Sequence, residues 1–245
     1  MELRDPEDGP ALRAGAVLLA AGASTRMGGE GSKALLELGG RTILERSAAA
    51  LLAAPSVAEL VVVIREADRA AVTEALAAHE SAVRALVEGG CERTDSVREG
   101  VRAVSEDVDV ILVHDAARCF VEPDHVEQVA RAAYEHGSAL LATRVSDTLK
   151  FVPNGFLSEE TVDREQYWSA QTPQAMRAAR FHDVLARAAR DGYRPTDDAA
   201  LHEHYHGPSR VVEGSRNNVK MTTPDDLVLG AALAALADRD PEVTA

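Results

Sequence analysis

The residues with the plainest chemical meaning lie between positions 16 and 33, in the stretch AVLLAAGASTRMGGEGSK. An apolar run stops at Ala20-Ala21-Gly22, and a loop of small residues then carries Arg26 and, seven residues later, Lys33. A buried strand emptying into such a loop suits a polyphosphate. Small residues let backbone N–H groups approach the oxygens, and the cations neutralise them. The glycine spacing is neither a Walker A nor GxGxxG, so taken alone the segment is also compatible with a plain surface loop. Lysine usage sharpens the reading. The only lysines are Lys33, Lys150 and Lys220, and Lys220 sits in NNVKMTTPDD just before a helix start at Thr223-Pro224. Lysine serves phosphates as a compact point charge.

Two further strand ends carry ligand-like residues. The apolar run 108–113 leads into His114-Asp115-Ala116-Ala117-Arg118. A carboxylate at a strand tip can hold Mg²⁺, which keeps most of its waters and adds phosphate oxygens, or it can simply cap a helix. Arg118 can grip a second anion. The third is Gly89-Gly90-Cys91-Glu92-Arg93-Thr94-Asp95-Ser96. Its glycines permit close backbone approach, Arg93 adds charge, and Ser96 can hydrogen-bond a base or ribose. One pattern is a decoy: His202-Glu203-His204-Tyr205-His206 fits H-E-x-x-H, but Gly207-Pro208 follows and ends the helix at its second histidine.

The elements that must position these residues follow from hydrophobic periodicity. Continuous apolar runs at 16–20, 59–64, 83–87, 108–113 and 139–143 read as buried strands. Helical patterns lie between them at 42–53, 67–79, 94–104 and 123–136. Such alternation predicts an α/β fold: a Rossmann-like, mostly parallel sheet flanked by helices on both faces, with ligands at the carboxyl ends of its strands. Residues 147–170 break the pattern, and Pro153-Asn154-Gly155 marks a projecting β-hairpin arm. Helices are expected at 176–190, 197–204 and from 224 to about 236, with a strand at 210–213. Residues 1–13 read as a frayed tail and 14–240 as one domain.

Composition excludes several function classes. Aromatics are 4% of the chain and the net charge is −14, which argues against nucleic-acid binding. No apolar run approaches the roughly 20 residues needed to span a bilayer, and there is no signal-peptide pattern at the start. Two cysteines, Cys91 and Cys119, are too few for a disulfide framework, so a reducing cytoplasm is expected.

Together these stretches resemble the 2-C-methyl-D-erythritol 4-phosphate cytidylyltransferase family of the nucleotidyltransferase superfamily. The resemblance rests on AVLLAAGASTRMGGEGSK, GGCERTDSV, ILVHDAARCF, SDTLK, TVDREQYWSAQTPQ, TDDAALHEH and VEGSRNNVKMTTPDDL, in that order along nearly the whole chain. It implies that Ala20, Ala21, Gly22, Ala23, Arg26 and Lys33 bind the CTP phosphates, and that Gly90 and Ser96 recognise cytosine. It implies Mg²⁺ on Asp115, with Arg118, Thr148, Arg164, Thr196 and Lys220 around the acceptor phosphate. It further implies a homodimer that exchanges its arms, so that Thr148 and Arg164 reach the partner's site. The chain departs from the family pattern at Ala34-Leu35, Cys91, Cys119 and Asn217.

The chemistry expected is attack by the acceptor phosphate on the α-phosphorus of CTP, with Arg26, Lys33, Arg164 and Lys220 as the catalytic cations. Such a phosphate is mostly dianionic at neutral pH and needs no general base. Competing readings are a cytidylyltransferase for ribitol 5-phosphate or another polyol phosphate, and a nucleotide-binding regulator without catalysis.

Overall fold

The computed structural model describes residues 11–22 and 32–238. Seven strands make one sheet. They are β1 (Ala14–Leu19), β4 (Val57–Ile64), β5 (Val83–Glu88), β6 (Val110–Asp115), β7 (Ser138–Arg144), β10 (Trp168–Arg177) and β11 (Arg210–Glu213), in the spatial order β11-β7-β10-β6-β1-β4-β5. All neighbours run parallel except β10, which is antiparallel to both β6 and β7. Two small ribbons stand apart: β2 (Glu37–Leu38) with β3 (Arg41–Thr42), and β8 (Lys150–Phe151) with β9 (Glu160–Thr161).

Helices cover both faces. On one side lie α1 (Ile43–Leu52), α2 (Arg69–Ala75) and α4 (Pro123–His136), packed through Leu44, Leu51, Val72, Val126 and Val129 onto Leu18, Leu60, Val62 and Leu112. On the other lie α3 (Arg93–Ala103), α5 (Ala178–Asp191) and α6 (Asp198–Tyr205), whose Val97, Val101, Phe181 and Leu201 meet Val17, Val61, Val63 and Val113. Successive strand residues thus serve opposite layers, as the period of two requires. Because both faces are covered, the strands read as unbroken apolar runs, and each fully buried aliphatic side chain contributes about 1.5–3 kcal/mol. The last helix, α7 (Pro224–Ala237), closes a smaller cluster of Leu38, Ile43, Cys119, Met221 and Ala234 beneath the loop that leaves β6.

Three expectations change. The segment 168–177 is a strand, not the end of the arm and the start of a helix. Its Pro173 lies where the β10–β7 pairing skips from Ala170 to Gln174. The missing N–H therefore falls in an irregularity of the ladder, which is how a proline survives inside a sheet. The helix expected over 67–79 is one short α-helix, Arg69–Ala75, between two 3-10 turns. Of the tail, residues 1–10 lie outside the described residues, but 11–13 are tied down: Leu12 packs on the core, and the Arg13 N–H donates to Asp109 Oδ2 at 3.0 Å.

Candidate active site

The carboxyl ends of β1, β5 and β6 open onto a cavity of about 360 Å³. Its first wall is Ala20-Ala21-Gly22, leaving β1. Ser32 ties the returning chain to that strand end. The buried Ser32 hydroxyl donates to Ala20 O at 3.2 Å and accepts from the Ala34 N–H at 3.3 Å, which sets Lys33 at the cavity wall. The second wall is Gly90 to Arg93 with Ser96. The Gly90 N–H donates to Ser96 Oγ at 3.2 Å. The glycines here are needed for close approach: a Cβ on Gly89 would meet that of Ala21 at 2.6 Å, and one on Gly90 would meet that of Asp95 at 2.3 Å.

Asp115 and Lys220 complete the cavity. Lys220 Nζ lies 2.7 Å from Asp115 Oδ2, and Arg93 approaches Asp115 Oδ1 at 3.5 Å. Burial pushes the Asp115 carboxyl up, but the charges of Arg93 and Lys220 outweigh it and hold the group down at about 2. Asp115 is therefore an anion at any neutral pH. Arg93 is itself held by a bidentate pair with Asp198 at 3.0 and 2.8 Å. The fork explains why an arginine stands here and a lysine would not do the same.

Beneath Asp115 a buried relay sets its backbone. The Asp115 N–H donates to Thr172 Oγ1 at 3.1 Å. His114 is fully buried, and burial lowers its pKa to about 4, so the ring is neutral. Arg118 O can only accept, so His114 Nε2–H donates to it at 3.1 Å. His114 Nδ1 is then the acceptor for the Thr172 hydroxyl at 3.0 Å. One tautomer satisfies every group.

The chain matches the family profile described as IspD: 2-C-methyl-D-erythritol 4-phosphate cytidylyltransferase over residues 14–235. The chain belongs to that family. The enzyme of that name from Geobacillus kaustophilus is 38% identical over 221 residues, covering 90% of this chain and 96% of the relative. That from Syntrophotalea carbinolica is 39% identical over 218 residues, covering 87% and 92%. Among solved structures, the Thermus thermophilus 2-C-methyl-D-erythritol 4-phosphate cytidylyltransferase superposes with a TM-score of 0.73 at 35% identity, covering 90% of this chain and 98% of that one. The 4-diphosphocytidyl-2C-methyl-D-erythritol synthase of Anaerococcus prevotii gives 0.82 at 26% identity, covering 92% and 97%.

Of the site residues expected from this cytidylyltransferase pattern, Ala20, Ala21, Gly22, Lys33, Gly90, Ser96, Asp115 and Lys220 line the one cavity. Ala23 and Arg26 lie outside the described residues. Arg118 lines an adjoining cavity of about 380 Å³, which shares Lys220 with the first. Arg164 borders a third, of about 270 Å³, at the base of the arm, where it donates to Ser146 O. Thr148 and Thr196 are exposed and line none of these. Thr196 ends up outside because the following Asp197 and Asp198 turn inward instead: Asp197 caps α6, and Asp198 holds Arg93.

His114, Thr172 and Asp198 were not singled out from the sequence, since each acts through another residue. The histidine decoy resolves as structure. Helix α6 stops at Tyr205, His202 faces Gly207 O at 3.0 Å and Arg180 at 3.1 Å, and His206 faces Asp183 at 3.2 Å.

Asp115 would offer Mg²⁺ a carboxylate that it shares with Lys220 on Oδ2 and Arg93 on Oδ1. It is an ionised carboxylate at a cavity wall, and no group of three or more His, Cys, Asp or Glu able to hold a metal exists among the described residues. A cation held by one carboxylate and completed by water and phosphate oxygens is how Mg²⁺ is ordinarily bound.

Proposed function

We propose that this chain transfers the cytidylyl group of CTP to 2-C-methyl-D-erythritol 4-phosphate and releases pyrophosphate. The observation that carries the reading is the shared wall at Lys220, which joins the cavity holding Lys33 and Asp115 to the one holding Arg118. Two anions can be brought together there with cations on both.

In the step proposed, an oxygen of the acceptor phosphate forms a bond to the α-phosphorus of CTP while the bond from that phosphorus to the bridging oxygen of pyrophosphate breaks. A phosphate monoester has its second pKa near 6, so at pH 7 the attacking group is already a nucleophile. The work left to the protein is positioning and charge neutralisation. Lys33, with Arg26, stabilises charge on the departing pyrophosphate. Lys220 and Arg118 hold the acceptor, and the N–H groups of Ala21 and Gly22, just past the end of β1, are offered to the nucleotide. Mg²⁺ held by Asp115 would supply further neutralisation of the phosphate oxygens.

The arm favours a homodimer. It exposes Phe151, Phe156 and Leu157, an apolar surface that a second copy of the arm could cover. Arg164 at its base would then serve the partner's acceptor. A cytoplasmic setting suits the two free cysteines, and no helix among the described residues is long and apolar enough to cross a membrane.

Pyrophosphate release tests the reaction. It is expected with CTP and 2-C-methyl-D-erythritol 4-phosphate in the presence of Mg²⁺, and to be lost when the metal is chelated. Faster release with ribitol 5-phosphate would replace the acceptor, and release unaffected by chelation would remove the metal from Asp115.

A further inference from the structure

The cavities of about 380 and 270 Å³ share a wall made by Arg144, Val145, Ser146 and Arg216. Every other cation on their walls is engaged. Lys220 pairs with Asp115 at 2.7 Å, and Arg118 donates to Asn218 O at 2.9 Å. Arg144 lies 4.4 Å from the centre of the Trp168 ring and 3.3 Å from Glu213. Arg164 donates to Ser146 O and faces Glu165 at 3.8 Å. Arg216, although exposed, has no hydrogen bond, ion pair or ring contact among the described residues.

The backbone that carries Arg216 is tightly held. Gly214 sits against Leu141, where a Cβ would come within 2.7 Å of that side chain. Gln171 Nε2 donates to Ser215 O at 3.1 Å, and the Asn218 N–H donates to the same oxygen at 3.2 Å. The fully buried Asn218 donates through Nδ2 to Gln171 Oε1 and Thr172 O, both at 3.0 Å. The turn thus anchors the start of the side chain at the cavity lip and leaves its charged end uncommitted.

Asp147 and Glu165 also line these walls, but Arg216 pairs with neither, so its charge is left for an anion that arrives to offset it. Arg118 is incompletely satisfied too. Its Nε is buried with no partner, and burial pushes its pKa down, with Asp115 as the charge that opposes the effect.

We propose that Arg216 is a specificity-determining residue for the acceptor, closing on its phosphate monoester together with Arg118 and Lys220. A guanidinium is suited to this, since its planar fork matches two phosphate oxygens. The proposal rests on the acceptor reading above.

The test compares Arg216→Ala and Arg216→Lys with the unaltered enzyme. A lost charge-assisted contact predicts a rise in acceptor KM of about 10- to 100-fold in Arg216→Ala. The KM for CTP and the melting temperature should be unchanged, and Arg216→Lys should recover part of the loss. Binding of inorganic phosphate, measured by calorimetry without any turnover, should weaken in parallel. If the unaltered enzyme binds phosphate but releases no pyrophosphate with this acceptor, the acceptor reading fails while Arg216 is still judged by phosphate binding. If the unaltered enzyme turns over and Arg216→Ala keeps its acceptor KM and phosphate affinity within about twofold, the Arg216 assignment alone fails. A change in oligomeric state on Arg216→Ala would also overturn it, by making Arg216 an interface residue.

Discussion

At the residue scale the centre of the site sets the Asp115 carboxylate against Lys220 and Arg93. Lys33 and Lys220 stand on opposite sides of Asp115 in sequence and share one cavity wall with it in space. Lys33 is expected to act on the charge that develops as pyrophosphate leaves, so its effect should appear in turnover more than in binding. Lys33→Ala should lower kcat by about 10²- to 10³-fold, the scale of a lost electrostatic stabiliser. Steady-state kinetics at saturating CTP checks this, and near-normal turnover would remove Lys33 from the transition state. Arg93 shows why residue type alone is a weak guide. It lines the same cavity but is bound by Asp198, so its first task is to hold two segments together.

At the element scale, the loop that carries Lys220 is fixed by the start of α7. Thr223 Oγ1 accepts from the Asp226 N–H at 3.3 Å, and Asp226 Oδ2 accepts from the N–H groups of Thr222 and Thr223, both at 2.7 Å. These backbone bonds hold the Asp226 carboxyl at about 2, below its ordinary 3.8. A carboxylate with a depressed folded-state pKa stabilises fully above its unfolded value and loses that contribution as pH falls through the folded one. Asp226→Asn should therefore cost about 1 kcal/mol, or roughly 2–4 °C in Tm, at neutral pH. The gap from the unaltered chain should close as pH is lowered from about 4 towards 2. Thermal melts across that range check it, and a gap that does not vary with pH would show that the capping charge is not the cause. The start of α7 was legible in Thr-Thr-Pro-Asp-Asp, since a capping box is local chemistry. Strand β10 was not, because Gln-Thr-Pro-Gln looks like a turn until β6 and β7 supply its partners on either side.

At the scale of the whole molecule, the proposed dimer turns on where the base of the arm places Arg164. Arg164 lies away from Lys33 in its own chain, and arm exchange would bring it to the partner's Lys220. Mixing Lys33→Ala with Arg164→Ala subunits then regenerates intact sites in mixed dimers. Random reassortment should restore about a quarter of the unaltered activity, because each mixed dimer has one site with neither lesion. Activity that stays at the level of the two single variants would show that Arg164 serves its own chain.

What the sequence by itself determined was the set of local patterns. Apolar runs gave the parallel strands, small residues after β1 gave the expectation of a phosphate loop, and cations near strand ends gave the expected chemistry. These are properties of neighbouring residues, so a linear reading reaches them. Only the tertiary structure decided which distant residues share a wall. Asp115 and Lys220 are paired because β6 and the approach to α7 converge. His114 and Thr172 support Asp115 because an antiparallel strand lies beside β6. Arg216 is uncommitted because no carboxylate folds back against it among the described residues. Partnership across a hundred residues depends on packing, and no local spacing encodes it.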